Sequence, residues 1–268
     1  MEHGQPRVLR PPSGAGLTAD RAAGGWLQTG RLAAITLVMA LSPSTYDRRM
    51  LQVTARQIYF SAWQALPGFA VTSAVLAYVL TRILIGTAAE YGLSQYGLEL
   101  TVRVVVIELL PLLAALFVGL RSGAAISARV ALMREQGEFE RLTRAGSDPL
   151  RHALVSRAIG SVVAVAVLCA CACALALVLA YGAAYGLSPW AVALYLRVTG
   201  QVFAPHVVVG LALKILLFGL AVASIPIGAA LSIQPGKAQL PIAVMRAMVR
   251  LALALVAIEI GFLAVLYA

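Results

Sequence analysis

Hydrophobic positions along this chain come in long unbroken runs, not in the alternation of a half-buried strand or the narrow stripe of a surface helix. Residues 57–81, 158–196 and 215–236 contain no charged side chain. Each run meets the requirement of about 20 apolar residues for a helix that crosses a bilayer. Strand-length alternation is missing, which argues against a transmembrane barrel, and helices are then the elements that satisfy their own backbone in lipid. The pattern predicts an all-α polytopic membrane protein with five spans, at residues 60–86, 99–120, 153–181, 206–231 and 247–268. The run Leu32 to Ser42, opened by Arg31 and closed by Pro43, is too short to cross. It predicts an N-terminal interfacial helix. Residues 1–30, which hold Pro11, Pro12 and several glycines, predict a disordered tail. Residues 31–268 then form a single membrane domain, without internal repeat.

Composition agrees. Of 268 residues, 61% are apolar and only 12% charged, far from a soluble enzyme. The net charge of +10 resembles a nucleic-acid signature until its distribution is followed. Seven lysines and arginines lie in residues 1–56, seven in 121–157 and three in 232–250, segments that alternate with the spans. That is the positive-inside pattern. The connections 82–103 and 182–205 carry only Arg82, Arg103 and Arg197. The N-terminus is therefore expected in the cytoplasm and the C-terminus outside, with no nucleic-acid partner.

Candidate chemistry is sparse. Cys169, Cys171 and Cys173 stand at i, i+2 and i+4 in the middle of the third span, with no histidine or acid beside them. They read as small hydrophobes, not as a metal site. His3, His152 and His206 are scattered and no HExxH occurs, so a zinc site has no ligand set. The only Gly-Lys pair, Gly236-Lys237, is followed by Ala238 and does not form a phosphate-binding loop. No catalytic, cofactor-binding or metal-ligating residue is expected, and the chain reads as a non-enzyme.

Three charges inside spans stand out: Glu108, Lys214 and Glu259. Counted from the outer ends of their helices at about 1.5 Å per residue, all three fall roughly 12 to 14 Å below the outer surface. A lone charge there costs about 2.5 to more than 10 kcal/mol. Pairing is the expected solution, with Lys214 held between Glu259 and Glu108. Two roles fit such a cluster: a brace between spans, or a lining of the path that a lipid headgroup takes.

The cytoplasmic connection 121–152 is longer than a connector needs. Gly146 supplies a helix stop, Asp148 a cap and Pro149 a first helical position. Arg134 with Glu138 and Glu140 with Arg144 are i,i+4 pairs, while Val130, Met133, Phe139 and Leu142 supply apolar contacts. This is a helix built to dock on a cytosolic partner, or one that lies solvated on the membrane.

From Glu108 to Arg151 the chain resembles, without gaps, the MlaE-type permease subunits of lipid-transporting ABC systems that work with MCE-domain proteins. The family's RELGP, AGRxGSAxxAEIGxM and AVDPLR runs are matched at Glu108, Leu109, Pro111, Arg121, Gly123, Ala125, Ala128, Met133, Asp148, Pro149 and Leu150. Weaker similarity continues through Lys214, Phe218, Pro235, Ala243, Arg246 and Glu259. The family's first arginine is Ile107 here, the acid after SAxxA is Arg129, and the glutamate of the docking stretch is Gly137. The chain is similar to a diverged member.

The resemblance implies a permease in the bacterial inner membrane that moves phospholipid or a similar amphiphile to or from an extracytoplasmic MCE-type carrier. It also implies a homodimer and two cytosolic ATPase subunits, which would bind the ATP and magnesium that this chain does not. Coupling to the ATPase would fall on Arg121, Gly123, Met133, Glu138, Arg141, Asp148 and Pro149. The alternative is a secondary transporter that uses Glu108 and Glu259 as proton carriers. Such carriers usually show repeated halves, and five spans do not divide into two.

Overall fold

The computed structural model describes residues 63–125, 128, 149–186, 188–231 and 240–267. The N-terminal tail, the interfacial helix expected at 31–43 and most of the connection 121–152 lie outside these residues. Among those described, helix α1 covers Leu66–Glu90. Helix α2, Ser94–Thr101, runs without a break into a π-helical stretch Val102–Leu109, helix α3 at Leu110–Val118 and a second π-helical stretch Gly119–Gly123. Helix α4 spans Pro149–Tyr185, a 3₁₀ turn Pro189–Ala191 leads into α5 at Val192–Val202, and α6 and α7 cover Pro205–Leu231 and Leu240–Tyr267. No strand occurs among the described residues.

Five stretches are long and apolar enough to cross a membrane: Leu66–Glu90, Tyr96–Gly123, Ile159–Tyr185, Pro205–Ala229 and Val244–Val265. They correspond one for one to the five predicted spans. The first runs four residues beyond its predicted end, and Pro67 sits in the first turn of α1. A proline there has no intrahelical N–H partner to lose, so it starts the helix. Pro226 does lie inside its helix. The C-terminal ends of α1 and α4 are closed by Gly92 (φ 71°) and Gly186 (φ 64°), left-handed positions that favour glycine.

The second and fourth spans are the most buried of the five. Val102, Val105, Val106 and Leu110 of the second span meet Val165 and Leu168 of α4, Phe218 and Val222 of α6, and Leu251 and Leu255 of α7 in one continuous core. Two close approaches fix its spacing. A Cβ on Gly219 would lie 2.5 Å from the backbone Cα of Val162, and the Ser161 hydroxyl donates to the Gly219 carbonyl at 3.0 Å. A Cβ on Gly119 would lie 2.5 Å from Leu251 Cδ2. Small residues let helix backbones approach closely where no apolar driving force separates helix from lipid.

The connection between the third and fourth spans is more than a loop. Tyr195, Thr199 and Val202, spaced i, i+4, i+7, form the buried face of α5. The Tyr195 ring stands edge-on to Tyr181 and Tyr185 at centroid distances of 5.2 and 6.5 Å, and its hydroxyl donates to the Leu177 carbonyl at 2.7 Å. Burial pushes the Tyr195 hydroxyl above the ordinary tyrosine range. The outward faces stay apolar: Val71, Val75, Val79 and Ile83 on α1 and Met245, Val249, Leu253, Val256 and Ile260 on α7 are exposed, as surfaces that meet lipid or another apolar helix must be.

Candidate functional site: an ion cluster inside the membrane spans

Three spans converge on one amine. Lys214 comes from α6, nine residues after its first residue, Pro205, and only 2% of it is exposed. Its Nζ donates to Glu259 Oε1 of α7 at 2.8 Å, to Glu108 Oε2 of the second span, and to the Ile107 carbonyl at 3.4 Å. The Phe218 ring, one turn along α6, has its centroid 6.0 Å from the same nitrogen. Glu259 is 8% exposed, and the Glu108 side chain 13%. The predicted cluster is thus brought together, in the predicted order, with Lys214 in the middle.

Local backbone chemistry explains part of this geometry. Glu108 lies in the π-helical stretch, where the Leu110 N–H reaches back to the Val105 carbonyl. Pro111 follows and has no N–H to return to the carbonyls behind it. Two of those carbonyls accept side chains from other spans instead: Ile107 takes the Lys214 ammonium, and Val106 takes the Cys173 thiol at 3.5 Å. Sequence reasoning missed both acceptors. The signal available was Pro111 three residues after an intramembrane acid, because a proline inside a membrane helix frees a carbonyl that a neighbouring span must satisfy. Cys169 and Cys173 are packed side by side, their sulfurs 3.8 Å apart, and all three cysteines are free thiols.

The second span also carries the start of the predicted coupling segment. Arg121 is exposed and donates to Gln64 Oε1 at 3.0 Å, tying the C-terminal end of the second span to the chain just before α1. Gly123 is buried, and a Cβ there would lie 3.0 Å from Pro226 Cγ and 3.4 Å from Met248 Cε. Its place is a helix contact with α6 and α7. Pro149 opens α4, as its position after Asp148 predicts. Met133, Glu138, Arg141 and Asp148 lie outside the described residues.

The fold and the site define a multi-pass helical membrane protein organised around a buried ion cluster, with no metal-ligating group of three His, Cys, Asp or Glu among the described residues. The family model described as Permease MlaE matches residues 54–265, which includes all five spans, and the chain belongs to that family. Among curated proteins, it is 30% identical over 118 residues to a probable ABC transporter permease protein of Rickettsia felis, covering 42% of this chain and 44% of that one. A probable ABC transporter permease protein of Rickettsia prowazekii is 28% identical over 134 residues, 48% of each chain. The matched stretch spans less than half the length of these curated relatives.

Proposed function

We propose that this chain is the permease subunit of an ABC transporter that moves phospholipid or a similar amphiphile between the inner membrane and an extracytoplasmic MCE-type carrier. ATP hydrolysis belongs to a separate cytosolic subunit. The observation that carries the reading is the family match across the whole membrane region, supported by relatives described as probable ABC transporter permeases. The working form is a homodimer in the bacterial inner membrane, N-terminus cytoplasmic and C-terminus periplasmic. The lipid path runs between the two copies, and the exposed apolar stripe of α7 is suited to that contact. Alternating exposure of the cavity follows from a shift between two states that the ATPase subunits favour in turn.

Coupling is assigned to residues 121–152, with Arg121, Met133, Glu138, Arg141, Asp148 and Pro149 as its main positions and Gly123 holding its root against α6 and α7. The second span links this segment directly to Glu108, so movement at the cytoplasmic end reaches the ion cluster along one continuous helix. Reversing charge at Arg141 or Arg144, or placing a bulky residue at Gly137, is expected to uncouple transport without unfolding the permease. The measurement is copurification with the ATPase together with lipid-stimulated ATP turnover. Unchanged values for both would remove the coupling role. Lipid movement that persists without any ATPase subunit would favour the secondary-transporter reading.

A further inference from the structure

The ion cluster has more acceptors than donors. A lysine ammonium carries three N–H groups and no more. All three are taken, by Glu108 Oε2, Glu259 Oε1 and the Ile107 carbonyl. Glu259 Oε2 is completely shielded and meets no donor among the described residues. A buried carboxylate oxygen left without a donor carries its full desolvation cost. The charges are equally unbalanced, since two carboxylates face one ammonium and leave a net charge of −1 inside the bilayer. A group so placed neutralises instead.

We infer that the cluster is a proton-binding site: one proton, additional to those of the Lys214 ammonium, is held by the Glu259 carboxyl on Oε2 and makes the triad neutral. Glu108, whose Oε2 accepts from the same ammonium, is the second carboxyl of the site. The other groups facing the site are few. The fourth span supplies Lys214, the second supplies Glu108 and the Ile107 carbonyl, and the third brings the Cys169 and Cys173 thiols against the same π-helical stretch through Val106. No arginine or histidine is bonded to the cluster among the described residues. The inference stands whether or not the chain works with an ATPase, because it follows from the donor count and the charge balance of the cluster. Within a transport cycle, any step that pulls α7 away from α6 would separate Glu259 from Lys214 and change what the proton is worth there.

Infrared spectroscopy of the full-length protein in lipid nanodiscs at neutral pH reads the proton directly. The wild type is expected to show a carboxylic-acid carbonyl stretch that shifts when the glutamates carry ¹³C. Glu259→Gln, close in shape to the protonated acid, should fold, keep the Lys214–Glu108 pair and lose the band. Glu108→Gln should lose it too, because one ammonium and one carboxylate already balance. Lys214→Met should enlarge it about twofold, since both carboxyls must then neutralise. A wild type without a glutamate acid band would overturn the site, and so would a band of unchanged size in Glu259→Gln. The wild-type spectrum and its isotope shift decide the matter even if a variant fails to fold.

Discussion

Lys214 joins its own span to two others through one nitrogen, and removing that ammonium leaves two carboxyls and a backbone carbonyl without their donor. Breaking a buried pair by deleting one partner costs about 3 to 5 kcal/mol, whereas replacing both partners with apolar groups is often neutral. Lys214→Met alone is therefore expected to lower the thermal stability of the purified protein sharply, and Lys214→Met with Glu259→Leu to recover much of the loss. A double variant no more stable than the worse single one would refute the brace; one that assembles but moves no lipid would place the cluster on the lipid path. Glycine makes a second contrast at this scale. At Gly219 an added methyl would strike the Val162 backbone, which cannot rotate away, whereas Gly210 has nothing within 4 Å. Gly219→Ala should cost the roughly 1 to 3 kcal/mol of an overpacked core, and Gly210→Ala, which gains helix propensity, should leave the unfolding temperature unchanged or raised. The meeting of Glu108, Lys214 and Glu259 was legible from sequence because each sits at nearly the same depth and none can remain alone in lipid. The Gly219–Val162 approach was not, because nothing in either helix alone marks where another backbone will touch it.

At the scale of elements, the five spans were legible because an unbroken apolar run of membrane length has one outcome in lipid. What the runs concealed is how the second span is built. Val102–Leu109 and Gly119–Gly123 are wound as π-helix, and such turns occur disproportionately at functional sites; here the first carries Glu108 and the second leads into the proposed coupling segment. Hydrophobicity is blind to that winding. It was equally blind to α5, whose apolar residues merge with the long charge-free run 158–196 although a separate amphipathic helix begins at Val192. The orientation of these elements is open to a direct check. Cysteine accessibility in whole cells should find residue 140 cytoplasmic and residue 192 extracytoplasmic, because the arginine-rich connections are retained inside. Labelling of residue 192 from the cytoplasm alone would defeat the proposed topology.

Among the described residues, α1 and α7 present apolar faces, and the buried charge lies in a cluster between the second, fourth and fifth spans. Under the proposed function this subunit gates a lipid path with work supplied from outside the chain, and membership of the MlaE permease family makes a cytosolic ATPase the fitting source. In detergent or nanodiscs the permease is accordingly expected to sediment as a dimer carrying two ATPase subunits, and a monomer with a single ATPase would argue against a cavity shared between copies. The most direct measurement is lipid movement in a reconstituted system. The purified chain, with its ATPase in vesicles containing a labelled phospholipid, should exchange that lipid with an extracytoplasmic MCE-domain acceptor when ATP is supplied, and should lose the exchange when ATP is withheld or the ATPase is inactivated. Exchange that proceeds at the same rate without ATP, or no exchange with it, would contradict the proposed function.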